Sequence, residues 1–486
     1  MVRFGPDAEI CIQIMVNRID FKIKRKLTAE EVTAFDVVKK LQQAGYEAYI
    51  AGGAVRDELL GIPAYDIDIA TSAKPEEIKK LFPRSYDRGK AFGVVAVRMK
   101  LSSEQVGEFE VATFRSDIGI FDHRRPKKIA FTSAAKDAQR RDFTINGLFY
   151  DSVNAQIIDY VGGIKDLKNK IIRFIGQPQE RINEDYLRIL RAVRFANRFG
   201  FVLDEEGAEA IKENAIKIQG VSAERVRDEL AKMFVHPSRV KAIEMLESLG
   251  LLEQILPELV LLHGVQQPPE FHHEGDVWIH TMLALKNLSE APSEELVWAV
   301  LLHDIAKPET QGFRQHPKSK ITFFEHDVES AKKEKKILGR LKYSNDFIEN
   351  VAWAISQHMR LINAFREDGQ QMSERKQEKL FLDPRINLLL DETRADLLAS
   401  VRPDGTTDLS MYENALKRKK YFASRPAEEK EQVKKFDLIT GHDIMKVLKF
   451  PSGPKVGQVK AKIEEAFLEG KISRRDEALK MIEELQ

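Results

Sequence analysis

The spacing of apolar positions changes twice along the chain, and the changes divide it. Between residues 21 and 175, short alternating runs interrupt helix-spaced ones. Residues 28–44 predict a helix opened by Thr28, with Glu31 three residues on completing a capping box. Residues 47–51 predict a short strand that runs into Gly52-Gly53, followed by a second helix over 55–60. Period-two alternation over 65–70, 94–99 and 109–114 predicts three further strands. From 176 to 265 the spacing becomes helical, and Gln267-Pro268-Pro269 reads as a linker. Residues 270–400 form a second, all-helical block. Past 401, a basic cluster (Lys417, Arg418, Lys419, Lys420) and the turn Pro451-Ser452-Gly453-Pro454 punctuate more helix. The expected class is α+β, with an N-terminal extension (1–26), an α+β head (27–175), a helical neck and body (176–265), a histidine-rich helical domain (266–400) and a helical tail (401–486).

Composition narrows this little. At 486 residues, 43% hydrophobic and 31% charged, the chain has room for three or four ordinary globular domains. No apolar run reaches the roughly 18–20 residues that span a bilayer, so no membrane association is expected. The acidic N-terminus does not read as a signal peptide, and Met15 is an alternative start. Cys11 is the only cysteine, which excludes an intramolecular disulfide, leaves metal binding to Asp, Glu and His, and suits a reducing cytoplasm. A net charge of +1 decides nothing about nucleic acid, which is held by local patches.

Candidate chemistry begins at Asp66-Ile67-Asp68. On a strand the two aspartates share a face, where they would repel each other unless a cation, suited to hard oxygen ligands such as Mg²⁺, sits between them. An isolated Asp-x-Asp equally fits the solvated face of an edge strand. The upstream Gly52-Gly53 turn, poised for close backbone approach to phosphate, adds weight to the metal reading. Glu110 lies in another alternating strand as a possible third carboxylate. Residues 115–142 then carry eight Lys/Arg against four acids, the composition of a charged loop that could also grip a triphosphate.

Gly52-Gly53-x-Val55-Arg56-Asp57, Asp66-x-Asp68, Arg140-Arg141-Asp142-Phe143-Thr144-Ile145-Asn146 and Glu184-Asp185-x-x-Arg188 stand in the order and spacing of the class II tRNA nucleotidyltransferases. The chain resembles that family, which includes bacterial CCA-adding enzymes and poly(A) polymerases, over roughly residues 27–265 and more loosely beyond. The resemblance implies a DNA polymerase beta-like head that extends the 3′ end of tRNA with CTP and ATP. Asp66 and Asp68 would hold two Mg²⁺, with Glu110 a less certain third ligand. Gly52, Gly53 and Arg56 would handle the triphosphate, and Arg141, Asp142 and Asn146 the nucleotide around its ribose. With no template, Asp185 and Arg188, three apart on an expected helix, would read the base: an aspartate accepts from an exocyclic amine, an arginine donates. The same pair also fits a surface ion pair. Arg191 and Arg194 extend that helix face as a basic stripe toward RNA. Family members that add only CC carry a shortened loop, whereas residues 115–131 are full length here, which counts against CC-only addition. A-only and poly(A) addition share every motif.

Eight of the eleven histidines fall between His263 and His358. His280, His303-Asp304 and Asp396 resemble the HD phosphohydrolase pattern, and His326 and His358 stand where binuclear members carry extra histidines. Helices over 278–287, 295–305 and 350–359 would gather them. Imidazole with carboxylate suits Mn²⁺, Fe, Co²⁺, Ni²⁺ or Zn²⁺ better than Mg²⁺. Related domains act as phosphatases or cyclic phosphodiesterases, or as RNA-binding scaffolds. An HD hydrolase acting on RNA ends is the alternative to nucleotide addition as the main activity, and the oligomeric state is not readable.

Overall fold

The computed structural model describes residues 16–64, 66–89, 93–102, 105–121, 125–313, 321–365, 372–425, 439–449, 451 and 453–485. The chain divides into two compact units, Met1–Met233 with Lys241–Ile255, and Phe234–Val240 with Leu256–Gln486.

The first unit is built on an eight-stranded sheet. Its strands are β1 (Asn17–Asp20), β2 (Ala48–Ala51), β3 (Asp68–Thr71), β4 (Ser85–Gly89), β5 (Val94–Lys100) and β6 (Val106–Thr113), and two more follow the hairpin β7 (Arg115–Phe121) and β8 (Arg125–Phe131), namely β9 (Leu148–Asp151) and β10 (Gln156–Asp159). The order is β1-β10-β9-β2-β3-β6-β5-β4, and β3–β6 is the one parallel pair in that sheet. Helix α1 (Ala29–Gln43) starts as its sequence dictates: the Thr28 hydroxyl accepts from the Glu31 N–H at 3.2 Å, and the Glu31 carboxylate accepts from the Thr28 N–H at 2.8 Å. Its Ala34, Val37, Val38 and Leu41 are buried. A core of Tyr49, Ala51, Ala70, Phe114, Phe149 and Ile158 fixes the central strands. Register does the positioning. Ala51, the last residue of β2, pairs with Asp68, the first of β3, while Ile69 pairs with Val111, so Asp68 and Glu110 fall side by side.

Three expectations change here. Strand β3 begins at Asp68, so Asp66 lies just before it, and Tyr65 is outside the described residues. The charge-rich segment expected as a loop is the antiparallel hairpin β7–β8, paired from Arg115↔Phe131 to Phe121↔Arg125. Its period-two pattern (Ile118 and Ile120, then Ile129 and Phe131) was hidden beneath the basic residues. Asn17–Asp20, placed in the extension by sequence, pairs with β10 as the sheet's edge.

Helices α2 (Gly53–Leu59), α3 (Pro75–Leu81), α4 (Ala134–Gln139), α5 (Gly163–Asn169), α6 (Pro178–Glu184), α7 (Arg188–Phe199), α8 (Glu205–Glu213) and α9 (Ala223–Phe234) complete this part of the chain. Helix α7 buries Ile189, Leu190, Val193 and Ala196 and turns its arginines away from them.

Among the described residues the second unit is helical apart from one small hairpin, Gln311–Phe313 with Ile321–Phe323, which lies inside the block expected to be all-helical. Asp276 and Ser293 cap Val277–Lys286 and Glu294–Leu302 by accepting from Ile279 and Leu296 N–H groups. These two helices, with His326–Arg340, Asn345–Asn363 and Ile386–Ala399, bury Trp298, Ile337, Val351 and Leu389. Arg239, 2% exposed, donates to the main-chain carbonyls of Phe234, Val235, Leu285 and Ser289. Three helices of the tail, Gly441–Leu448, Pro454–Leu468 and Arg475–Glu483, share a core around Ile444, Ile463 and Ile482.

Candidate active site

The end of β2 turns at Gly52, which has φ +67°, and a Cβ built there would lie 2.6 Å from Arg141 Nη1. Gly53 is less constrained, its nearest neighbour being Arg56 Nη2 at 3.5 Å. Asp68 and Glu110 line the same cleft as this turn, and Asp66 lies outside that lining but close enough to act on Asp68. Desolvation within the cleft, then the charges of Asp66 and Glu110, push the Asp68 carboxyl up to about 6, against the pull of Arg141. Glu110 is partly held by Arg88 Nε at 3.2 Å.

The wall of this cleft, of about 580 Å³, is rich in arginine: Arg140, Arg141, Arg188, Arg191, Arg198 and Arg225. Several expected ligand contacts are already engaged within the protein. Arg56 is buried, donating to Asp57 Oδ1 at 2.7 Å and to Asn146 Oδ1, with its guanidinium over the rings of Phe195 and Phe199. Asp142 accepts from Asn146 Nδ2 at 2.9 Å and from Arg191 Nε at 2.8 Å. Burial alone would raise the Asp142 carboxyl; the Arg191 charge and these hydrogen bonds outweigh it and hold it down at about 2. Arg194 binds the buried Glu229 at 2.6 Å. Arg191 and Arg194 thus line the cleft but are tied to internal carboxylates, not presented as an open stripe toward RNA.

Asp185 and Arg188 do not share a helix. Helix α6 ends at Glu184, Asp185 is extended (φ −150°, ψ 106°), and α7 begins at Arg188. Nor do the two side chains pair with each other, as the alternative reading of a surface ion pair required. Asp185 Oδ1 accepts from Leu187 N–H at 3.1 Å and Oδ2 from Arg225 Nη2 at 2.8 Å. Arg188 Nη1 donates to Glu184 at 2.6 Å and to the Arg181 carbonyl at 2.9 Å, and Nη2 to the Arg140 carbonyl at 3.0 Å. Both side chains line the cleft.

Two residues here escaped the sequence reading. Arg225 is one. Asp137, 1% exposed, is the other: it binds Arg140 at 2.8 Å and Arg141 at 3.2 Å and accepts from the Arg115 N–H at 3.2 Å, at the root of the hairpin. Its i,i+3 and i,i+4 spacing to the two arginines was the available signal.

In the second unit the histidines converge. His280 Nδ1 lies 2.8 Å from Glu274 and Nε2 2.9 Å from Asp396 Oδ1. His303, His326 and His358 each donate from Nδ1 to a carbonyl three residues earlier, Val300 (2.8 Å), Phe323 (2.9 Å) and Ile355 (2.6 Å). At His326 and His358, which burial keeps neutral, that fixes the tautomer and leaves Nε2 as a lone pair, whereas at His303 the Asp304 carboxylate outweighs burial and pulls the imidazole up to about 10. Yet His326 Nε2 and His358 Nε2 face each other at 3.2 Å, with Asp304 Oδ1 3.5 Å from the former. Burial lowers both imidazoles to about 4, so the two Nε2 lone pairs face one another, an arrangement that a shared cation would suit. The Asp304 oxygens and His303 Nε2 are buried without a hydrogen-bond partner, although Lys307 Nζ lies 2.6 Å from Oδ2 out of alignment. Glu274, which also binds His272, was not foreseen. The donor set fits a transition-type metal.

Comparison with known proteins places these features in one class. Residues 48–173 match the poly(A) polymerase head domain, 200–262 a probable RNA and SrmB-binding site of polymerase A, and 271–387 the HD domain. The CCA-adding enzyme of Streptococcus thermophilus is 35% identical over 298 residues, covering 61% of this chain and 69% of that protein. That of Lactiplantibacillus plantarum is 29% identical over 94% of this chain and 97% of its own length. The match to the Lactobacillus helveticus enzyme, 42% identical, spans 47% of this chain and only about half (56%) of that protein. Among solved structures, the Bacillus stearothermophilus CCA-adding enzyme in complex with CTP is similar over 93% of this chain and 96% of its own, with TM-score 0.59 and 27% identity. The Thermotoga maritima enzyme complexed with tRNA shares the fold at TM-score 0.54 and 20% identity, over 96% of this chain and 98% of that one. The head and its cleft define a nucleotidyltransferase. The chain belongs to the CCA-adding enzyme family of tRNA nucleotidyltransferases.

Proposed function

We propose that this chain adds C, C and A to the 3′ end of tRNA from CTP and ATP, by two-magnesium nucleotidyl transfer in the head cleft. The carrying observation is Asp68 and Glu110 lining one cleft with the arginines, with Asp66 near enough that desolvation, then the Asp66 and Glu110 charges, push Asp68 up to about 6. Oxygen donors so placed fit Mg²⁺, held by Asp66 and Asp68 with Glu110 as a third ligand. Bound there, the ions would lower the pKa of the attacking 3′-hydroxyl and stabilise the departing pyrophosphate.

The chain's own residues bind and orient. The Gly52-Gly53 turn lets phosphate approach the backbone, with Arg141 beside it and Arg56 behind. Asp142, engaged by Phe143 N–H, Asn146 and Arg191, would meet the ribose by exchanging one of these bonds for a hydroxyl donor. Asp185 accepts the exocyclic amine of C or A and Arg188 donates to the ring, whereas U and G present a carbonyl to the carboxylate. Replacing Asp68 with alanine is expected to lower nucleotide incorporation by about 10³-fold or more with the fold retained. Near-normal incorporation by the folded variant would contradict the assignment.

A second reading concerns the second unit. The opposed Nε2 lone pairs of His326 and His358 support a metal centre of His280, His303, Asp304, His326, His358 and Asp396, holding Mn²⁺, Fe, Co²⁺, Ni²⁺ or Zn²⁺ and hydrolysing phosphate esters at RNA ends.

A further inference from the structure

Asp185 and Arg188 enter the cleft from the break between α6 and α7, and each is held by something other than its neighbour. Arg188 spends three of its five N–H groups on Glu184, the Arg181 carbonyl and the Arg140 carbonyl. Nε–H and one Nη2–H remain for a ligand. Asp185 is anchored on both oxygens from two different places: Leu187 N–H at the start of α7 holds Oδ1, and Arg225 Nη2, from the first turn of α9, holds Oδ2 at 2.8 Å. Either anchor alone would let the carboxylate turn about its Cβ–Cγ bond. Together they fix its plane.

We propose that Arg225 is a positioning residue for base selection, holding Asp185 away from Arg188 so that acceptor and donor both stay open to the nucleotide. The proposal rests on the base-reading role given above to Asp185 and Arg188. A free aspartate three residues from an arginine across such a break would close on it as a charge-assisted pair. That pair would consume the acceptor needed for the amine of C or A and the donor edge needed for the ring. Arg225 prevents the collapse by offering Asp185 a competing guanidinium from the opposite side. The contact is sheltered, with side-chain exposures of 21% for Arg225 and 23% for Asp185, so water competes weakly for it. Two lone-pair sites are left on the carboxylate, enough for an exocyclic amine and hostile to the carbonyl of U or G. The link spans 40 residues of sequence, which is why no local motif reveals it.

The test is a competition of all four nucleoside triphosphates on tRNA lacking its 3′ end, using the full chain and Arg225→Gln, Arg225→Met, Arg225→Lys and Asp185→Ala variants, with melting temperature recorded for each. Arg225→Gln and Arg225→Met are expected to lose about tenfold or more of the preference for C and A over U and G. KM for the correct nucleotide should change less than the selectivity does. Arg225→Lys should recover part of the preference, and adding Arg225→Gln to Asp185→Ala should cost no further selectivity. Full selectivity in both Arg225→Gln and Arg225→Met, beside a loss in Asp185→Ala, would overturn the proposal and leave Arg225 a structural contact. Unchanged selectivity in Asp185→Ala would overturn the base-reading role itself.

Discussion

At Gly52 two constraints coincide: a left-handed backbone, and a guanidinium nitrogen 2.6 Å from where a methyl would stand. An L-residue in that conformation costs about 1–2 kcal/mol before any clash. The Arg141 side chain is the part that can yield, and yielding moves it off the phosphate turn. Gly52→Ala is therefore expected to raise KM for the triphosphate and lower kcat, while Gly53→Ala, with its nearest neighbour at 3.5 Å, has a much smaller effect. Steady-state kinetics of the two variants side by side decide it; equal effects would show that the turn does not depend on Arg141 placement. From sequence the two glycines look alike, because what separates them is a φ angle and an arginine 89 positions away. The same limit hid Arg225 and the internal partners of Arg56 and Arg194. Type and spacing identify a cation, but not the Asn146 or Glu229 that has already engaged it.

Local chemistry made elements legible where it acts within one turn. The Thr28–Glu31 capping box starts α1 where the sequence places it, and the alternation of residues 94–99 and 109–114 becomes β5 and β6. Misreadings occurred where two local signals competed. Charge outweighed period-two spacing in the hairpin β7–β8. Helical spacing ran straight through the α6–α7 break, because nothing at Asp185 forbids helix: its extended backbone is held by tertiary bonds to Leu187 and Arg225. That break matters for the proposed chemistry. A continuous helix would have set Asp185 and Arg188 one turn apart on the same face, free to pair.

For the whole molecule, the order of motifs revealed more than any single element did. His…His-Asp…Asp marks the second unit, and the structure adds what the order lacks: Nδ1 groups bound to carbonyls, and two Nε2 atoms facing across 3.2 Å. Asp304→Ala is expected to abolish metal retention in the purified protein, read by elemental analysis, and to leave incorporation by the head unchanged. Metal content equal to the parent would refute the centre, and lost incorporation would refute its independence. The central claim, CCA addition, is tested most directly by incubating the chain and Mg²⁺ with tRNA lacking its 3′ end, supplying CTP alone, ATP alone or both, and sequencing the products. The account predicts CC with CTP alone, no extension with ATP alone, and a terminal CCA with both. Adenylates added to the truncated end, singly or as a long run, would contradict it.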